Sequence, residues 1–257
     1  MKTIGILGGM SWESTLTYYK VVNELVRDRL GGLHSAQIAL RSLDFEEIEA
    51  CQRSGDWARA AGILAEAARG LEAAGADVIL IATNTMHKVA PEVARAVTVP
   101  LLHIAEATGA ALARRGIRKV GLLGTKYTMT EPFYKCRLEA QNFDVLVPAP
   151  DDINLVNRVI FDELCLGTIR PESKVEFLRW TKSCPSDFTI RILTCKAFST
   201  SSAVKSSKNT VSPLRNILIG RRRYSPSSLS FSWAIRSFAV ISPETVILSP
   251  KKSLRMG

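Results

Sequence analysis

Residues 78–89 read "VILIATNTMHKV", and the first third of that stretch decides the architecture. Four consecutive large aliphatics at 78–81 offer no polar face, so a strand made of them has to be covered on both sides, as strands of parallel sheets are. Turn residues bound the run, Gly75 before it and Thr83-Asn84-Thr85 after it. Residues 77–82 therefore read as a buried strand. Toward the N-terminus, residues 56–73 are rich in Ala, Glu and Arg and read as a helix. Residues 37–43 read as a strand, and residues 3–7 form an apolar run closed by Gly8-Gly9 ahead of helical spacing over 11–30. In the other direction, strands at 100–104, 119–123 and 145–147 alternate with helices at 105–115, 131–140 and 153–164. Strands and helices in alternation predict an α/β fold with parallel strands.

An echo inside the chain sharpens this picture. "TIGILGG" at 3–9 matches "KVGLLGT" at 119–125, and Tyr19-Lys20 recurs as Tyr134-Lys135. Any two strand–helix units look alike over so few residues; a true repeat instead predicts two similar lobes related by a pseudo-twofold axis. Ligands of open α/β sheets lie beyond the carboxyl ends of the strands, so such a pair would place one loop from each lobe on either side of a small substrate.

Charge is distributed unevenly. The chain of 257 residues carries a formal +10, yet residues 1–174 hold 20 Lys and Arg against 21 Asp and Glu. The remaining 83 residues hold 14 against 3, with 17 of the serines and only 2 of the 16 glycines. The overall basicity thus belongs to the tail and is a poor argument for nucleic-acid binding by the whole protein. No apolar run approaches the roughly 18 to 20 residues of a membrane span, and the N-terminus lacks a signal-peptide pattern, so a cytoplasmic protein is expected. Five cysteines without paired spacing read as free thiols, and no Cys/His cluster has metal-ligand spacing.

Four candidate features emerge from the first 174 residues. Gly8-Gly9-Met10-Ser11 sets backbone N–H groups at a helix start, suited to a small anion or simply to a strand-to-helix turn. It is neither Gly-x-Gly-x-x-Gly nor a Walker loop. Thr83-Asn84-Thr85 offers two hydroxyls and an amide for a carboxylate or amino group, or a cap for the next helix. His87 and His103 lack ligand spacing and read as structural histidines. Gln52, in "CQRSGDW", reads as part of a polar loop before a helix.

The motifs "GILGGMSWEST", "RLGGLHSAQ", "CQRSGDW", "ATNTMHKVA", "LLHIAEAT", "GLLGTKYTM" and "FDELCLG" together resemble the aspartate/glutamate racemase family of cofactor-independent amino-acid racemases, in its broad-specificity bacterial branch. The resemblance covers residues 1 to about 174. It implies an isomerase of two lobes, a first at 1–104 and a second, incomplete one at 105–174, with an acidic amino acid as substrate, no cofactor and no metal. Related enzymes are often dimers, which makes a homodimer compatible with the family. The implied chemistry uses two groups, one removing the Cα proton from one face and one supplying a proton from the other, in a site shielded from water. Most of the family has Cys-Asn-Thr where this chain has Thr83-Asn84-Thr85. Thr83 would be the catalytic group of the first lobe, a much weaker base than a thiol, while Asn84, Thr85, Gln52 and the Met10 backbone would hold the substrate.

The second catalytic cysteine belongs, by the same resemblance, to a Gly-Cys-Thr-Glu motif that this sequence lacks. The internal offset points to residues 192–201, "ILTCKAFSTS", and so to Cys195, although Arg191 would then sit in a strand expected to be buried. Residues 175–257 admit three readings: a basic arm for an acidic partner, a separate domain, or an out-of-frame translation. The abrupt loss of family motifs, acidic residues and glycine favours the third. On that reading inversion would be impaired, the alternatives being a non-catalytic amino-acid-binding remnant or, less well supported, a basic-tailed nucleic-acid-binding protein.

Overall fold

The computed structural model describes residues 1–183 and the short strand at 246–248. Cys195 and most of the basic serine-rich segment lie outside the described residues. The elements run in order β1 Ile4–Gly8, α1 Trp12–Leu30, β2 Ile38–Ser42, α2 Phe45–Ser54, α3 Trp57–Ala73, β3 Val78–Ile81, a 3-10 turn at Thr85–Val89 and α4 Ala90–Arg95. There follow β4 Leu101–Leu102, α5 Ile104–Arg114, β5 Lys119–Leu123, α6 Lys126–Thr130, α7 Pro132–Glu139, β6 Asp144–Leu146, α8 Pro150–Asp162, a 3-10 turn at Leu164–Leu166, α9 Pro171–Ser183 and β7 Val246–Leu248.

The fold is α/β, with sheets flanked by helices. The first sheet has the order β2-β1-β3-β4, every pair parallel. All four residues of β3 are buried, as a strand covered on both faces requires. Alternation along the strands sorts the side chains. Leu7, Ile79 and Ile81 point into a core with Leu64, Ala68 and Val93 of α3 and α4. Ile4, Ile6 and Ala82 face the other way, into a core that also contains Val120 and Leu122 of β5 and Leu138 of α7.

That second core is shared between two sheets. The other sheet has the order β6-β5-β7, and its far face, through Leu123, packs on Val156, Val159 and Ile160 of α8. β5 and β6 are parallel, whereas β7 runs antiparallel to β5. The expectation of parallel strands therefore holds for every strand that the sequence pattern predicts, and β7 adds an antiparallel strand, which can close the edge of a parallel sheet without a crossover helix of its own. The tyrosine echo also resolves here. Tyr19 is exposed, while Tyr18 packs with Tyr134 in the shared core, so burial pairs Tyr134 with Tyr18.

α2 corrects the reading of "CQRSGDW" as a loop. Asp44 caps the helix by accepting from the Glu46 N–H, Glu46 and Glu47 lie in its first turn, and Gly55 ends it in the left-handed region. Ile48, Cys51 and Gln52 form its buried face. Among the described residues no helix is long and apolar enough to cross a membrane.

Candidate active site

β1 and β3 end side by side, and the segment after β3 meets the one after β5. Gly9 follows β1 at φ +90, and a Cβ there would collide with the Leu43 backbone, so glycine is required. Its N–H donates to Thr15 Oγ1 at 2.8 Å, and the Thr15 hydroxyl donates in turn to the Ser11 carbonyl at 3.1 Å. This donor of the expected anion-binding turn is thus already used within the loop. Met10 is buried in the first core, where its cluster includes Ile48 and Met86.

β3 leads into Thr83, Asn84 and Thr85, all buried. His87 anchors this segment. Its Nδ1 lies 2.8 Å from the Thr83 carbonyl, and its Nε2 lies 3.1 Å from the Ile104 N–H at the start of α5. Those contacts specify a neutral ring that donates from Nδ1 and accepts at Nε2. Burial pushes the His87 pKa down to about 4. The ring meets His103 edge to face at 4.6 Å, and burial, then His87 itself, lowers His103 to about 2. His103 accepts at one ring nitrogen from the Ala105 N–H, while its Nε2 has no partner. His87 thus has both nitrogens satisfied, as a structural histidine requires, whereas His103 keeps one buried nitrogen without a partner.

Across from this segment stands Thr125, at the end of β5, whose hydroxyl lies 2.8 Å from that of Thr85 and 3.2 Å from that of Thr128. Two further contacts join the halves. The Tyr127 hydroxyl donates to the Gln52 carbonyl at 2.9 Å, and Lys88 pairs with Glu131 at 2.6 Å. Lys88 also sits over the Trp57 ring at 3.8 Å, and that ring meets Tyr127 edge-on.

Between the halves lies a narrow cleft, too tight to seat a water molecule. Its polar lining is Gln52, Thr83, Thr85 and Thr125, and Phe45, Ile160, Phe161 and Cys165 line the rest. The structure thus gathers three of the residues singled out from sequence, Gln52, Thr83 and Thr85, around one space. Asn84 is fully buried between two of them with neither amide atom hydrogen-bonded, and Gln52 Oε1 is equally unpartnered while its amide N–H reaches Met86 Sδ at 3.2 Å. A buried amide without partners costs on the order of 1–3 kcal/mol, so these groups gain from any polar partner that reaches them. Thr125 and Cys165 are the residues that sequence reasoning missed. The echo of "GILGG" in "GLLGT" carried the signal for Thr125; Cys165 had only its motif.

The chain is also similar to proteins already known. A profile of the family described as Asp/Glu/hydantoin racemase matches residues 7–181. A Yersinia pestis protein provisionally named an Asp/Glu racemase is 51% identical, with 71% of this chain and 80% of that one covered at a TM-score of 0.65. An aspartate racemase homologue from Pyrococcus horikoshii is 40% identical over 68% of this chain and 76% of its own, at a TM-score of 0.59. The aspartate racemase of Picrophilus torridus, at 21% identity and a TM-score of 0.52 over 68% of this chain and 71% of that one, shares the fold. With its α/β sheets, its cleft at their carboxyl ends and a family match over most of its length, this chain belongs to the Asp/Glu/hydantoin racemase family.

Proposed function

We propose that the cleft binds an amino acid with an acidic side chain and acts on its Cα–H bond without a cofactor, with inversion impaired. The single observation that carries this reading is a pair of buried amides: Gln52, whose Oε1 lacks a partner in the cleft that Thr83 and Thr85 also line, and Asn84, between those two threonines in sequence, with neither amide atom paired. An α-carboxylate or α-ammonium group would satisfy them. Thr83 provides a hydroxyl where a thiol would be the stronger base. Weakening one of two proton-transfer groups costs about 10²- to 10⁴-fold in rate. The second cysteine of the family pattern has no Gly-Cys-Thr-Glu motif to carry it, and Cys195, its sequence candidate, lies outside the described residues.

The test measures binding and chemistry apart. Aspartate or glutamate is expected to raise the melting temperature of the full chain, and Asn84→Ala to abolish that rise without lowering the ligand-free melting temperature. Chiral chromatography then reports inversion. Failure of both amino acids to bind would remove the proposal. Binding with no loss of Cα–H in D₂O would favour the non-catalytic amino-acid-binding reading, which the unsatisfied amides support equally well.

A further inference from the structure

Three cysteines are described, and they occupy different surroundings. Cys51 is buried in the first core, Cys136 is exposed on α7, and Cys165, 8% exposed, lines the cleft. Cys165 lies in the turn at Leu164–Leu166 that follows α8, whereas Thr83 follows β3 of the first sheet. A thiol and a hydroxyl from different halves of the molecule therefore face one space. A second observation marks that space as a ligand site: Gln52, 3% exposed, lines it with an unpartnered amide oxygen.

We propose that Cys165 is a proton-transfer residue acting on one face of the bound amino acid, and that the chain exchanges the Cα proton with solvent, retaining configuration, faster than it inverts that carbon. The proposal rests on the binding reading above. In the step, the Cys165 thiolate takes the Cα proton: the Cα–H bond breaks, an S–H bond forms, and the electron pair stays on Cα, delocalised into the carboxylate. The thiol proton then exchanges with water. Return of a proton from sulfur to the same face regenerates thiolate and the starting enantiomer with a solvent hydrogen. Inversion requires a donor on the opposite face, and there the hydroxyl of Thr83 is far less suited to proton transfer than a thiol, whose ordinary pKa is near 8.5. Exchange therefore outruns inversion.

The experiment incubates the full chain with each enantiomer of aspartate and glutamate in D₂O. Loss of the Cα–H signal is followed by NMR and inversion by chiral chromatography. Expected are exchange of one enantiomer at least about 10-fold faster than inversion, a fall in exchange of about 100-fold or more in Cys165→Ser, and no change in Cys136→Ser. Exchange that persists in Cys165→Ser, or exchange and inversion at equal rates in the unaltered chain, would overturn the proposal. A second measurement on the unaltered chain does not depend on whether the variant folds. Alkylation of Cys165 by iodoacetamide, read by peptide mass spectrometry, is expected to slow at least several-fold with saturating aspartate while Cys136 reacts unchanged. Equal labelling of Cys165 despite calorimetrically demonstrated aspartate binding would place the thiol away from the ligand and overturn the proposal alone. Absence of any amino-acid binding would overturn both the proposal and the reading beneath it.

Discussion

Acidification tests the histidine anchor beneath the site. His87 is buried, donates to the Thr83 carbonyl and accepts from the Ile104 N–H, and its pKa falls from 6.5 to about 4. In the unfolded chain the ring protonates near pH 6.5; in the folded chain it stays neutral until about pH 4. Across that interval the unfolded state binds more protons, so the contribution of His87 is fully present above pH 6.5 and is lost as pH falls. Each pH unit removes about 1.4 kcal/mol, and the whole interval on the order of 3 kcal/mol. His103 pulls in the same direction, but its depression comes partly from His87, so the joint loss is smaller than the sum. The assay is urea unfolding at pH 7 and 4.5. The unaltered chain is expected to lose about 1 M more in midpoint between the two pH values than His87→Asn, at a slope of roughly 2 kcal/mol per M. Asparagine forfeits the Ile104 hydrogen bond at every pH, a constant offset of about 1 kcal/mol that cancels in the comparison. Parallel pH profiles for the two proteins would refute the reasoning.

Other expectations follow from single contacts. Thr85→Val and Thr125→Val, combined in a double-mutant cycle of unfolding free energies, should show a coupling of about 1 kcal/mol, since their hydroxyls meet at 2.8 Å; additive effects would deny that contact in solution. Gly9→Ala places a Cβ against the Leu43 backbone at positive φ and should destabilise by about 2 kcal/mol or more in chemical denaturation. Ile79→Ala empties a fully buried position in the first sheet and should cost about 2–5 kcal/mol by the same measurement.

Much of the first sheet was legible because its strands are short apolar runs bounded by turn residues, a signal that local sequence carries alone. β3 is the clearest instance: four aliphatics, four buried side chains. α2 was lost for a chemical reason. Its buried face ends in Gln52, a polar residue at a core-facing position, and that break in the apolar stripe made the segment look like a loop despite the Asp44 cap and the acidic first turn. The residue that disguised the helix also keeps its buried amide oxygen without a partner, and the ligand role proposed for it would account for such a break in a folding pattern. Thr85 could be picked out as polar at a strand end, but its contact with Thr125, 40 residues away, is tertiary. Cys165 was hidden likewise: its motif marks the family, while the cleft that it lines is assembled from both halves.

The three ties between the two halves differ in kind: hydroxyl to hydroxyl, phenol to carbonyl, ammonium to carboxylate. Seating the proposed amino acid in so narrow a cleft would require the two sides to part and these contacts to stretch. Added salt weakens only the last of them directly, and each of its partners is just a quarter exposed. The joint between the halves should therefore hold about as firmly in concentrated salt as in dilute buffer.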